Sequence, residues 1–265
     1  MYFQNGLKLK KNFKSTAKTS FDADVDSINF KNSAEAAQKI NTWVKEKTNN
    51  KIDKLFDAGS FDGETRAVLL NAIYFKGDWL SPFPEDQTKT GKFYVSETKS
   101  ISHPMMYQEG KFDVAANEEL KAQILILKYS NPRFAMTIVL PDSRTGINDL
   151  EKKLSNIDLN TLETENINTE LGLGGIFTNS ADFSNMIEDE KHLVISKVLQ
   201  KAFIEVNEKG SEAAAATGIQ IGPRFKPPSF IADHPFIFFI TATLEEKSPT
   251  TKTILFSGKV VSPAY

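Results

Sequence analysis

The sequence predicts an α+β fold that is rich in strands and poor in helices, and three observations carry that expectation. Residues 193–206 alternate in two registers, Val194, Val198, Ala202, Ile204 and Val206 against Leu193, Ile195, Leu199 and Phe203, which is the period-two pattern of a long strand. Short apolar runs bounded by turn residues recur, as at 123–129 and 133–140 on either side of Asn131-Pro132. Helical spacing is confined to two stretches, 32–50 and 147–154.

Taken in order, the first of those helices opens with an N-cap at Asn32 or Ser33. Its amphipathic pattern runs through Ala34, Ala36, Ala37, Ile40, Trp43, Val44 and Lys47 and closes at Asn49-Asn50. Residues 65–75 (TRAVLLNAIYF) are nearly all apolar, the mark of a strand covered on both faces, so Asn71 in the middle is expected to need a buried partner. The runs at 123–129 and 133–140 form a hairpin, and 147–154 a short helix. Residues 236–243 and 253–260 are the last two strands, joined by the polar turn Glu245-Glu246-Lys247-Ser248-Pro249. Lys8, Lys10, Lys11, Lys14 and Lys18 read as the solvated face of a strand and loop, and Trp43 and Trp79 as core residues. His234, beside Pro235, reads as structural.

With 265 residues, 40% apolar residues and 20 Phe, the chain can build a sizeable core without metal or disulfide. Its net charge of −2 gives no basic face for nucleic acid or an anionic membrane, and no apolar run approaches the ~20 residues of a membrane span. There is no Cys, so neither a thiolate metal site nor a cysteine nucleophile is available, and no metal or cofactor is expected. His103, His192 and His234 are scattered, and the sequence contains no HExxH, GxSxG or P-loop motif. Gly172-Leu173-Gly174-Gly175 fails dinucleotide-loop spacing because Thr178 and Asn179 follow where the last Gly is needed. The chain is therefore not expected to be an enzyme. Its first residues lack the charged start and apolar run of a secretory signal.

The informative segment is 207–229 (NEKGSEAAAATGIQIGPRFKPPS), lying between two strands. At 23 residues it exceeds the roughly 12–15 that structureless loops reach without a functional reason. After Gly210 it holds only small residues from Ala213 to Ala216, then turns to Gly, Pro and an Arg224-Phe225 pair. By propensity alone, 211–217 could be a capped Ala helix.

These residues resemble the serpins, serine protease inhibitors that offer an exposed loop as bait. Glu205-Val206-Asn207-Glu208 with Lys209-Gly210-Ser211-Glu212-Ala213-Ala214-Ala215-Ala216-Thr217 is similar to the family's hinge, and residues 230–240 (FIADHPFIFFI) are similar to the signature that follows the loop. Residues 71–79 (NAIYFKGDW) resemble its central strand, and His103-Pro104-Met105-Met106 fits a further element. The resemblance implies a serpin-type fold with large mixed and antiparallel sheets, few helices and an exposed reactive loop. It spans 1–265 as a single serpin domain, with hinge and reactive-centre loop at 207–229. It also implies a sheet-opening region at Asn71, Gln200 and Trp79, where Gln200 stands in the place of a His that bonds the central-strand Asn in many serpins.

The resemblance also implies the position of the scissile bond: in serpins it lies at a fixed distance from the hinge Gly and from the Pro of the later signature, and counting 14 residues from Gly210, or back 11 from Pro235, gives Arg224-Phe225. Independently, Arg224 is the only basic residue of the distal loop not followed by Pro, since Lys226 precedes Pro227. Arg suits a protease whose specificity pocket ends in a carboxylate, so the expected partner is a trypsin-like serine protease held in a covalent complex. Phe225-Lys226 is the competing site, for chymotrypsin-like enzymes. The mechanism that the resemblance implies is that of a suicide substrate, in which the cut loop from Gly210 onward inserts beside the Asn71 strand before deacylation. The alternative is a non-inhibitory or truncated relative whose loop is only a substrate or an association surface. The overall wording is similar to invertebrate extracellular serpins, which implies secretion. The family pattern also includes helices ahead of the first strand and a strand pair near Glu170-Leu171 that this sequence does not carry. A complete molecule is expected to be a monomer, and a truncated one to associate through its sheet edges.

Overall fold

The computed structural model describes residues 1–155, 181–188, 193, 195–209, 229–243 and 252–263. Its contacts group into two compact units, one formed by Met1–Lys76 with the segment ending at Glu205, the other by the rest of the chain.

The first unit contains strands β1 (Tyr2–Gln4), β2 (Asp26–Ile28), β3 (Ala67–Lys76) and, from late in the chain, β9 (Lys197–Glu205), in the order β2-β1-β3-β9. β1 runs parallel to β2 and antiparallel to β3, while β3 and β9 are parallel. Helices α1 (Lys11–Phe21) and α2 (Ser33–Lys47) complete it.

α2 forms where its caps and apolar stripe dictate. Asn32 Nδ2 donates to Glu35 in the first turn (2.7 Å), and Ala36, Ala37, Ile40 and Val44 recur on one buried face. At the other end the Thr48 hydroxyl donates to the Val44 carbonyl (2.8 Å), and Asn49 and Asn50 turn the chain with φ of 50° and 61°, values that Asn tolerates. The stripe packs on Tyr2, Ile28, Phe30, Ile52, Phe56, Phe61 and Val68, and Leu70 and Ala72 of β3 and Leu199 and Phe203 of β9 join the same cluster. A second cluster unites Phe3, Leu9, Ala67, Ile187, Leu193 and Ile195.

Three expectations for this unit are corrected. The lysine-rich stretch is not a strand and loop but the helix α1: Phe13 packs inward, Ala17 is buried, and Lys11, Lys14 and Lys18 are solvated. The strand expected over 193–206 starts only at Lys197, because Leu193 and Ile195 are drawn into the second cluster before the ladder begins. Finally, β3 is not covered on both faces. Asn71 is exposed, and the strand beyond it is half-buried.

The second unit is built on the five-stranded antiparallel sheet β11-β10-β8-β7-β6. Its strands are β6 (Asp113–Asn117), β7 (Ala122–Lys128), β8 (Phe134–Pro141), β10 (Phe236–Thr243) and β11 (Lys252–Val260). The hairpin expected around Asn131-Pro132 is β7–β8, with the Asn131 carbonyl and side-chain oxygen accepting from the Phe134 and Arg133 amides (3.0 and 3.1 Å). α3 (Ile147–Leu154) lies where the sequence places it and seals Ile147, Leu150 and Leu154 against Leu120, Ala122, Val139 and Ile237. Gly258 of β11 faces Phe238 of β10, whose ring would lie 2.6 Å from any Cβ there. The two-stranded ribbon β4 (Lys89–Tyr94) with β5 (Ser100–Met105) and a short 3-10 turn (Glu85–Gln87) complete the unit.

Candidate functional site

Two places bear on the loop argument, one in each unit. In the first, β3 and β9 pair in parallel register from Val68↔Lys197 to Lys76↔Glu205. Asn71 and Gln200 are register partners in this seam, so the structure brings these two sequence-predicted residues side by side. Both are exposed, and among the described residues no hydrogen bond joins their side chains, so the buried partner expected for Asn71 is not Gln200. Register partners point to the same face of the sheet, and on that face Asn71, Gln200 and Ala202 are exposed, with no cover from the described residues.

The upper end of the seam is charged. Glu205, the last residue of β9, accepts from Lys51 Nζ (2.6 Å), from Lys76 Nζ (3.1 Å) on its register partner and from the Tyr74 hydroxyl (3.1 Å). The hydrogen bonds from Lys51 and then Lys76 hold its carboxyl far below the ordinary glutamate range, at about 2. Tyr74 moves the other way, raised by desolvation and then by donating to Glu205. Nothing local in the sequence announced this cluster, since Lys51 and Glu205 are distant in the chain and each is an ordinary surface charge when read alone.

The base of the loop lies in the second unit. Trp79 is 3% exposed and stacks on Tyr129 with centroids 4.5 Å apart, and its Nε1–H donates to the Asn207 carbonyl (2.8 Å). The indole is thus a core residue with one polar task, which is to anchor the chain just ahead of the hinge. Burial pushes the Tyr129 phenol far up. Glu208 is clamped twice, its carbonyl accepting from the Phe83 amide (3.0 Å) and its carboxylate from the Thr88 hydroxyl (2.8 Å), while Asn207 Oδ1 caps the Lys209 amide (3.0 Å).

Where the chain returns from the loop, His234 is buried between the Asp233 carboxylate and the Pro141 carbonyl, at 2.7 Å each. Both partners are acceptors, so the ring nitrogens act as donors to whichever of them they satisfy. The Asp233 carbonyl takes the Tyr94 amide (2.7 Å), and the Arg144 guanidinium lies 3.4 Å over the Tyr94 ring. His234 is accordingly a fastener of the loop's distal end, in keeping with its structural reading. The hinge residues Gly210, Ser211, Glu212, Ala213, Ala214, Ala215, Ala216 and Thr217, the reactive bond Arg224-Phe225 and the Gly172–175 cluster lie outside the described residues. Among the described residues no His, Cys, Asp or Glu cluster could hold a metal ion, and no helix is long and apolar enough to cross a membrane.

Comparison with known proteins bears on the serpin resemblance. The family model for serpins, the serine protease inhibitors, matches residues 1–171 and 160–263. The leukocyte elastase inhibitor of Sus scrofa is 40% identical over 280 residues, covering 94% of this chain and 72% of that protein. Antichymotrypsin-2 of Bombyx mori is 36% identical over 269 residues, covering 91% and 71%. The crystal structure of Serpin48 from the insect Tenebrio molitor superposes with a TM-score of 0.79 at 30% identity, covering 99% of this chain and 74% of that one. The chain belongs to the serpin family. Its α+β fold is the serpin fold, and its relatives are protease inhibitors by name.

Proposed function

We propose that this chain inhibits trypsin-like serine proteases as a suicide substrate cleaved at Arg224-Phe225. The observation that carries the reading is the parallel pairing of β3 and β9, together with the few residues of sequence between the end of β9 and Gly210. The two strands are parallel neighbours over the full nine residues of β9, and the chain leaves β9 only five residues before Gly210. A segment that turns back at Gly210 and enters the seam runs antiparallel to both neighbours. One parallel ladder is then replaced by two antiparallel ones, the slightly stronger pairing. The added ladder consists of several hydrogen bonds at about 1 kcal/mol net each, which drives insertion once the loop is cut and its end is free.

Composition fits this path. Ala213 to Ala216 present side chains small enough to slide between strands, with no Pro to remove a ladder donor and no charge to desolvate. The protease's serine attacks the Arg224 carbonyl and the leaving amine carries Phe225 away. The acyl-enzyme then rides on the inserting strand before water can release it. The choice of target rests on Arg224, because relatives of similar identity are named for chymotrypsin and for elastase and so the shared scaffold does not select the protease. A guanidinium pairs bidentately with a carboxylate at the foot of a specificity pocket.

The test is to mix the purified protein with trypsin and analyse the products by denaturing gel and intact mass. The expected result is an adduct that survives denaturation, with release of the fragment beginning at Phe225. Rapid cutting after Arg224 with fully active trypsin left over would mean a loop that is a substrate only.

A further inference from the structure

The turn that ends β1 places side by side two groups that react with each other. Asn5-Gly6 is the one Asn-Gly pair in the sequence. Both residues are exposed, and Gly6 has a φ of 95°, a conformation that any side chain would strain. A Cβ at Gly6 would meet nothing within 4 Å, so the space beside its backbone is open. Among the described residues no hydrogen bond engages the Asn5 carboxamide or the Gly6 amide. The turn is closed by one long bond, from the Leu7 amide to the Gln4 carbonyl (3.3 Å). Its flanks are firm: the Gln4 and Asn5 amides donate to the Arg66 and Ile28 carbonyls, at 2.8 Å each, and Leu9 lies in a buried cluster. The pair is thus a loose link between fixed ends.

Elementary chemistry follows. Once hydroxide takes the proton of the Gly6 amide, that nitrogen attacks Asn5 Cγ. A C–N bond forms, the Cγ–Nδ2 bond breaks, and ammonia leaves with a proton returned from water. The product is a five-membered imide joining the two residues. Water then opens the ring at Cγ to give aspartate, or at the main-chain carbonyl to give isoaspartate, in which the chain runs through Cβ and Cγ. The step needs no oxidant and no cofactor. Glycine favours it because a residue without Cβ leaves the attacking nitrogen uncrowded.

Two other places have comparable sequence and lack these freedoms. Asp62-Gly63 could close the same ring, but Asp62 Oδ1 accepts from the Thr65 hydroxyl (2.8 Å) and the Glu64 amide (3.0 Å). The hydrogen bond from Thr65 above all holds its carboxyl below the ordinary aspartate range, and an ionised carboxylate resists a nucleophile. Asn32 is followed by the small Ser33, but its Nδ2 donates to Glu35 (2.7 Å) and Ser33 begins α2.

We propose that Asn5-Gly6 is a self-modification site of the folded protein, converting without an enzyme to isoaspartate and aspartate as the molecule ages. Either product adds one negative charge to the chain's −2. The isoaspartate also adds one main-chain atom at the turn leading out of β1, an inner strand in the order β2-β1-β3-β9. It presents the group that isoaspartyl methyltransferases recognise. The site stands apart from the inhibitory reading and neither needs nor supports it.

The test incubates the intact protein for days at neutral and at mildly alkaline pH, beside a sample unfolded in urea. Each is then digested and mapped by mass, with isoaspartate counted by enzymatic methyl transfer. The peptide holding Asn5 should gain about 1 Da in the folded protein. Its rate should lie within about threefold of that in urea and at least about tenfold above every other Asn of the folded chain. It should rise with pH, because the amide must lose a proton. The peptides of Asn32 and Asp62 should change only in urea. Asn5→Gln, which would have to close a six-membered ring, should abolish the methyl-accepting product and keep the parental unfolding midpoint. An Asn5 that stays intact in the folded chain while it converts in urea would overturn the proposal. So would modification spread evenly over the Asn residues, or methyl acceptance that persists in Asn5→Gln.

Discussion

The β3–β9 seam and the β8–β10 seam are both pairs of long neighbouring strands, and they are built for opposite ends. β8 and β10 are antiparallel, each paired on both sides, with Met136, Val139, Leu140, Ile237, Ile240 and Thr241 buried and α3 sealed against them. β3 and β9 are parallel, half-buried, exposed at Asn71, Gln200 and Ala202, and finished at one end by a charged knot on Glu205. Both seams pack apolar side chains on one face, but at the open face and the Glu205 end the β3–β9 seam is held by polar contacts that water can replace. In the proposed mechanism the first arrangement stays closed and the second is the sheet that the loop enters.

That contrast can be broken at several places. The largest effect is expected from Ala213→Pro, which removes a ladder donor from the strand that must enter the seam. Trypsin should still cut after Arg224, but the yield of gel-stable complex should fall by about tenfold or more. Ile240→Ala hollows the antiparallel seam, where the side chain is fully buried, and should lower stability by about 2–5 kcal/mol in urea unfolding. The matching change on the open face, Ala202→Ser, should cost less than about 0.5 kcal/mol. If the two costs came out alike, the difference in closure would be wrong.

Thr88→Val removes the hydroxyl that donates to the Glu208 carboxylate. It should loosen the loop base by about 1 kcal/mol, seen as faster cutting after Lys209 by a lysine-specific protease. The smallest effect concerns acid. The Glu205 carboxyl titrates at about 2 in the folded chain, below its ordinary value of 4.5. Its contribution is therefore complete above about pH 4.5 and drains away as pH falls toward 2. The groups that face it are Lys51, Lys76 and Tyr74. Glu205→Gln should flatten this part of the curve of unfolding midpoint against pH, and an unchanged slope would show that the knot is not closed in solution.

The antiparallel unit was the more legible of the two from sequence. Its hairpin, its short helix and its last two strands lie where the turn residues and apolar periods place them, because local pattern and tertiary burial agree there. The first unit was harder for physical reasons. α1 carries a stripe of only Phe13, Ala17 and Phe21, of which Phe21 stays 76% exposed, so its lysines outweighed a helical period that is thin. β2 has three residues and β6 is exposed over four of its five, lengths and compositions that signal nothing by themselves. The strand character of β3 could be read, but its open face could not, since whether an apolar run is covered depends on what the rest of the chain brings to it. At the site, Asn71, Gln200 and Trp79 were reached through resemblance. The Glu205 knot was not, because its partners meet only after folding, Lys51 and Glu205 being 154 residues apart.

The central claim is that the seam between β3 and β9 is a vacant place for the chain's own loop. The direct measurement is the thermal unfolding midpoint of the protein before and after a single nick at Arg224, made with a trace of trypsin and verified by mass. Insertion of the freed segment adds a ladder of hydrogen bonds and buries apolar surface, so the nicked protein should unfold about 10 °C or more above the intact one. A midpoint that is unchanged or lower after the nick, as expected when an ordinary surface loop is cut, would contradict the account.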